Sequence, residues 1–383
     1  MAVIERDAEV DVNERFARTR APIEYARHLP GYIYNAPELY ALEKDKIFMQ
    51  DWMCVARVEE IADPGDFMTF RIMDEPIVVA RNASGELNAF ANVCRHRGVE
   101  VASGAGNTQE FSCPYHGWLY DLDGKLVGAP YMKEAEGFDP TGCRLTPLNL
   151  AQWAGWIFVS FNDAAEPFAE YIGEFESVFA PIRQQDCRLA DKLVVDLECN
   201  WKFMIENFVD FYHVGVLHTE TLGGIPCEEI EFDLNDRGGF ITFYPHPPMN
   251  AGGKLLFEMM PSLADKPDDF SAAGFLAPNM HLFVYGDNVQ VAHMWPLSPT
   301  RSRIIIYSLF PAVFFERDDF DAKLAEHKVL MRAIVDEDRE MLVSLQQAMA
   351  SRNFNPGPMS TSLELTIHHL INYNLDRVFG AQN

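Results

Sequence analysis

At 383 residues the chain is long enough for two domains with sizeable cores, and its 48% apolar and 12% aromatic content is that of a globular protein. The formal net charge of −26 argues against nucleic acid and anionic membrane as main partners, because both are polyanions. No basic n-region leads into an apolar h-region at the start and no run of about 18 apolar residues occurs, so no membrane span and a cytoplasmic location are expected.

Residues 1–20 are charged and poor in large apolar groups, which reads as a loose arm or a short surface helix. Over 37–52 the spacing of Leu39, Leu42, Ile47 and Phe48 under Glu and Lys cover predicts an amphipathic helix, so 1–44 is set apart as an N-terminal arm and helix. Strand patterns follow at 67–72, 76–81 and 87–93, with a turn at Asn82-Ala83-Ser84-Gly85. Segments 119–122 and 125–127 flank Asp123-Gly124 as a hairpin, and 156–161 is a continuous apolar strand. Together these make a small all-β domain over 45–162. The stretch 161–170 crosses into a second domain over 163–383. It holds strands at 193–197, 239–244, 281–285, 289–295 and 303–310, and helices at 200–214, 318–350 and 362–379. The pattern is α+β.

Two loops of the β domain carry chemistry. Cys94-Arg95-His96 is followed, after 16 intervening residues, by Cys113-Pro114-Tyr115-His116-Gly117-Trp118. Two thiolates and two imidazoles are the set in which His₂ replaces Cys₂ on one iron of a [2Fe–2S] cluster, a Rieske signature. A structural zinc knot uses the same residue types, but each pair here mixes Cys with His, whereas the common finger has a Cys pair and then a His pair. The seven cysteines are an odd number scattered over the chain, as expected of free or metal-binding thiols in a reducing compartment. Arg95 and Arg97 flank the first ligand pair and form either a docking patch for an acidic electron donor or ordinary surface arginines.

A second constellation lies in 200–218. Asn207, Asp210 and His213 recur at three-residue steps, which places them on one side of a helix; His218 follows, with Gly215 allowing the helix to distort or end so that both rings converge. Alone, the two histidines are as well explained by satisfied interior side chains. Asp338 changes the balance. Its helical neighbours Met331, Ile334, Val335, Met341, Leu342 and Leu345 are all apolar, so it sits in a buried stripe, where a carboxylate needs a partner or a metal. Asp336 reads as a solvated acid, and Glu337 is the fallback ligand. His213, His218 and Asp338 would form a 2-His-1-carboxylate triad that holds Fe(II) and leaves positions open.

From about Phe48 onward the chain resembles the catalytic α subunits of Rieske non-haem iron oxygenases. The resemblance rests on the two cluster loops, the N-W-K-F…E-N-F-V-D-F-Y-H-x₄-H segment, Pro278-Asn279, and Glu337-Asp338 followed by Gln346-Gln347. It implies a helix-grip catalytic domain with an antiparallel sheet and long C-terminal helices. It implies a [2Fe–2S] cluster on Cys94, His96, Cys113 and His116, a mononuclear Fe(II) on His213, His218 and Asp338, and O₂ as co-substrate. NAD(P)H enters indirectly, through a reductase with or without a ferredoxin. A head-to-tail homotrimer follows, with a β subunit allowed, in which Asp210 bridges His213 and the His116 of a neighbouring subunit; Asp210 and Asn207 are the catalytic candidates beside the metals. The expected reaction is mono- or dihydroxylation of a small aromatic or hydrophobic substrate, with N- or O-demethylation, for instance of a quaternary ammonium compound, as the alternative. Met204, Phe208, Val209, Leu217, Phe243, Phe283 and Val291 are the expected pocket residues. A Rieske electron carrier and a zinc-stabilised ligand-binding protein are the competing classes.

Overall fold

The computed structural model describes residues 12–248 and 254–381. Contacts divide the chain into two compact units: Phe48–Tyr171, and the segments before and after it taken together. The N-terminal stretch set apart by composition therefore belongs with the C-terminal segment. Phe16 shows the reason, being fully buried with its ring centroid 5.1 Å from that of Phe379. Residues 1–11 of the expected arm lie outside the described residues.

The helix expected over 37–52 is shorter. It runs as α1 (Pro37–Glu43), widens into a π-turn over Lys44–Phe48, and gives way to a strand. Phe48–Tyr171 is then built of β1 (Met53–Arg57), β2 (Asp66–Ile72), β3 (Glu75–Arg81), β4 (Leu87–Ala91), β5 (Ala105–Asn107), β6 (Glu110–Ser112), β7 (Leu119–Asp121), β8 (Leu126–Gly128), β9 (Asn149–Trp153) and β10 (Trp156–Ser160). Three antiparallel sheets result, in the orders β1-β10-β9, β4-β3-β2-β5 and β6-β7-β8. β1 escaped the sequence reading because every residue in it is buried, which removes the alternation that marks a strand.

The second unit carries one antiparallel sheet of β11 (Cys187–Leu197), β12 (Asp233–Leu234), β13 (Phe240–Pro245), β14 (Phe270–Leu276), β15 (Met280–Val284), β16 (Val289–Ser298) and β17 (Arg301–Pro311), in the order β11-β17-β16-β15-β14-β13-β12. β14 was not expected from its small-residue run, but Gly274 explains that composition: a Cβ there would stand 2.7 Å from the rings of Phe175 and Phe179. Four helices position the site: α2 (Trp201–Val209), α3 (Val214–Leu217), α4 (Phe320–Met349) and α5 (Leu365–Phe379). α2 packs against β16 and β17 and beside α4 and α5.

The buried stripe of α4 runs Leu324, His327, Met331, Val335, Asp338, Leu342 and Gln346 at helical spacing. Met341 and Leu345, counted as apolar cover for Asp338 on the sequence, face out instead. Two turns beyond Asp338, Gln346 accepts the backbone N–H of Asn200 at 2.7 Å, while the Asn200 side chain caps α2 by accepting from the Lys202 N–H at 3.0 Å. One helix thus carries the acid and sets where α2 begins. At that same start, Lys202 and Glu43 form a buried ion pair of 2.5 Å, and the Trp201 indole donates to the other Glu43 oxygen at 2.6 Å. Among the described residues no helix is long and apolar enough to cross a membrane.

Candidate metal centres and active-site chamber

The two Cys/His loops of the β unit are closed in the same way. Cys94 N–H donates to Val99 O and Gly98 N–H returns to Cys94 O, both at 2.9 Å; Cys113 N–H donates to Trp118 O at 2.8 Å and Gly117 N–H to Cys113 O at 3.0 Å. Each closure needs a left-handed residue four positions after the cysteine. Glycine supplies it, at φ +81° for Gly98 and +67° for Gly117. Both thiols are buried side by side, with the Tyr120 hydroxyl 3.4 Å from Cys94 Sγ. The imidazoles lie further out, His96 Nδ1 and His116 Nδ1 facing each other at 3.1 Å, with the His96 ring stacked on Trp118. Thiols paired inside and imidazoles paired toward the surface suit two metal positions of different ligation better than one tetrahedral ion.

In the second unit the helix expected over 200–214 breaks at Asp210, not at Gly215. Asp210 has extended backbone (φ −93°, ψ 115°) and its side chain accepts the Tyr212 N–H at 2.6 Å, a local turn that competes with continued helix. The break frees the next turn, α3, which holds His213 at its start and His218 at its end. Their ring centroids are 5.1 Å apart.

Asp338 reaches both rings. Its Oδ1 lies 2.9 Å from His218 Nε2 and 3.5 Å from His213 Nε2. The ligand-type atoms of His213, His218 and Asp338 all lie within 4.8 Å of one another. Each ring is also held from behind: His213 Nδ1 meets Asp210 Oδ2 at 3.0 Å, and His218 Nδ1 meets Glu337 Oε2 at 2.6 Å, where Thr221 Oγ1 also donates at 2.7 Å. Glu337 therefore stands behind His218 rather than among the three converging side chains. Burial alone would lower the His213 imidazolium, but hydrogen bonds to Asp210 and Asp338 outweigh it and raise it to about 9. A divalent cation suits this set, because it replaces the protons that two imidazoles beside one buried carboxylate otherwise retain.

Beside the triad is a chamber of about 90 Å³, walled by Phe208, Phe211, Tyr244, Phe283 and Tyr285 and reached by Asn207 and Gln290. His246 and Tyr285 also line a second, outer cavity of about 560 Å³. Of the residues expected to line the pocket, Phe208 and Phe283 do so. Met204, Val209 and Val291 lie in the core, Leu217 is half-buried on α3, and Phe243 points outward. The strand errors are errors of parity: on β13 and β16 the chamber is lined by Tyr244 and Gln290, the neighbours of Phe243 and Val291. Arg95 and Arg97 are exposed on the first cluster loop, Arg97 donating to the Tyr115 hydroxyl at 3.2 Å.

Known proteins share both halves of this arrangement. A family profile described as the ring hydroxylating alpha subunit (catalytic domain) matches residues 184–379, and one described as the Rieske [2Fe–2S] domain matches 51–148. The chain belongs to the ring-hydroxylating oxygenase α-subunit family. It is the terminal component of a Rieske oxygenase, an oxidoreductase that incorporates O₂ using a Rieske cluster, a mononuclear non-haem iron and electrons from a reductase. The oxygenase is 28% identical to the choline monooxygenase of Beta vulgaris over 361 residues, covering 91% of this chain and 76% of that one. It is 28% identical to the glycine betaine monooxygenase oxygenase subunit of Chromohalobacter salexigens over 389 residues, covering 92% and 86%. In fold it matches the quaternary ammonium Rieske monooxygenase CntA bound to L-carnitine, with TM-score 0.78 at 23% identity and coverage of 94% and 98%.

Proposed function

We propose that this oxygenase oxidises a small quaternary ammonium compound, with Fe(II) held by His213, His218 and Asp338 and the cluster by Cys94, Cys113, His96 and His116. The observation that carries the substrate class is the inner chamber. Its roughly 90 Å³ holds a group of the size of a trimethylammonium head; a single aromatic ring has a similar volume, so the character of the walls rather than their spacing favours the cation. Its walls are aromatic faces, which attract cations lacking N–H donors. The aromatic or hydrocarbon substrate first expected yields to this alternative, and the names of the choline and glycine betaine relatives support the same class.

When bound, the two metal groups supply single electrons and O₂ activation. The protein's own part is positional. Asp210 and Glu337 fix the imidazole planes from behind, Asp338 brings negative charge between the rings, and Phe208, Phe283 and Tyr285 hold the head with water excluded. The net change inserts one oxygen atom into a substrate C–H bond, with two electrons and two protons reducing the other oxygen atom to water. Asp210 lies at hydrogen-bond distance from His213 and is assigned the link to a neighbouring subunit's cluster histidine in a head-to-tail trimer, with Arg95 and Arg97 on the electron-donor face.

The test is product analysis with a surrogate reductase and NAD(P)H across choline, glycine betaine, carnitine, naphthalene and benzoate, following O₂ uptake coupled to product. Oxidation confined to the ammonium compounds is expected. Coupled hydroxylation of the aromatic compounds with none of the ammonium compounds overturns the reading.

A further inference from the structure

Among the polar side chains of the chamber wall outside the metal chemistry, Gln290 is tied into a chain of hydrogen bonds with a fixed direction. Gln290 lies on β16, a strand whose first eight residues are all buried, and is itself only 6% exposed. Its Nε2 donates to Asn288 Oδ1 at 3.2 Å, Asn288 Nδ2 donates to Asp287 Oδ1 at 2.7 Å, and the other Asp287 oxygen accepts the Phe257 N–H at 2.9 Å. The chain of bonds has a direction. Turning the Gln290 amide over would set its oxygen against the Asn288 oxygen, and turning Asn288 as well would set oxygen against a carboxyl that already accepts a backbone N–H. Nε2 is therefore held back and Oε1 is left over. Among the described residues no donor bonds Oε1, and Gln290 is part of the chamber wall. Asp287 and Asn288 belong to the wall of the outer cavity, so the device begins there and ends beside the triad.

We propose that Gln290 determines specificity: its amide oxygen, locked toward the chamber by Asn288 and Asp287, makes an aromatic pocket choose a cationic methylammonium head over a neutral group of the same shape. The inference rests on the quaternary ammonium reading of the substrate. A trimethylammonium group spreads its charge over methyl hydrogens and has no N–H to donate; aromatic faces and C–H···O contacts to a carbonyl oxygen are what bind it. A tert-butyl group fills the same volume against the same rings. It strips water from Oε1 and returns nothing, which leaves an unpaired acceptor in a dry pocket. Asp210 and Asp338 are each engaged by His213 or His218, and Oε1 is an acceptor of the wall that carries no such bond.

Anaerobic calorimetry on the iron-loaded protein tests this with two pairs that differ in whether the head is a cationic trimethylammonium or a neutral tert-butyl group: choline against 3,3-dimethylbutan-1-ol, and glycine betaine against 3,3-dimethylbutanoate. The wild type prefers one of the ammonium compounds to its isostere. Gln290→Leu, close in volume, lowers that preference about tenfold. Gln290→Glu trades the bond to Asn288 for a full negative charge and increases it, and Asn288→Ala, which only unties the amide, lowers it by a smaller factor. Retention of the mononuclear iron, beside the visible absorption of the cluster, reports that each variant is folded in both units. An unchanged preference in both Gln290→Leu and Asn288→Ala overturns the role of Gln290 while the ammonium reading stands. A wild type with no preference for either ammonium compound overturns both.

Discussion

Replacing Asp338 by asparagine and Glu337 by glutamine separates a ligand from a support in adjacent residues of one helix. Asp338 Oδ1 faces both Nε2 atoms, at 2.9 and 3.5 Å, whereas Glu337 Oε2 touches only Nδ1 of His218, at 2.6 Å, on the far side of that ring. Asp338→Asn removes the one negative charge between the imidazoles and leaves a neutral amide as a poor third ligand, so the mononuclear site empties. Iron content falls from about three to about two atoms per chain, the cluster retaining its pair. Glu337→Gln keeps a carbonyl oxygen able to accept from His218 Nδ1 and from Thr221, losing charge but not geometry. Loss of a support of this kind costs about 10–100-fold in metal affinity, or ~1.4–2.8 kcal/mol, and the conserved hydrogen bonds place this case near the lower end. Anaerobic Fe(II) titration against a competing chelator, with cluster absorbance as internal standard, gives both values. Iron retained in Asp338→Asn and lost in Glu337→Gln would refute the assignment.

Asp210→Asn is expected to leave both metals bound and to lower coupled turnover about 10–100-fold, because an amide still turns the chain at Tyr212 but no longer offers His213 a charged acceptor; activity near wild type with a full complement of iron counts against any role in transfer. A stability measurement addresses Glu206, whose carboxyl is pushed up to about 7 by burial, with the Tyr34 hydroxyl, 2.9 Å from both its oxygens, opposing the shift. An unfolded glutamate titrates near ~4.3, so between there and about 7 the folded chain holds the extra proton and stability falls as pH rises. Glu206→Gln, neutral throughout, should have a higher urea midpoint than wild type at pH 8 and a smaller difference at pH 5; a difference that is the same at both values shows that Glu206 does not titrate in this window.

Much of the protein is legible without coordinates because its chemistry is local in sequence. Cys94–His96 and Cys113–His116 are two short loops whose closing glycines, Gly98 and Gly117, are written beside them, and the helical period of α4 singles out Asp338 because a carboxylate in an apolar stripe contradicts its surroundings. What escaped was whatever depends on burial on both faces or on phase. β1 and β14 lack alternation, and the break at Asp210 replaces a periodic helix by a side-chain-stabilised turn.

The donor types, their grouping into two sets, the family and Asp338 as the buried acid are thus all written in local sequence. Tertiary packing decided what Glu337 does: about 100° away around α4, which packs beside α2, it stands behind His218 and meets its Nδ1. It also decided which parity of β13 and β16 faces the chamber, replacing Phe243 and Val291 by Tyr244 and Gln290. A strand carries two faces in its sequence, and only a partner on one side says which of them is the inside.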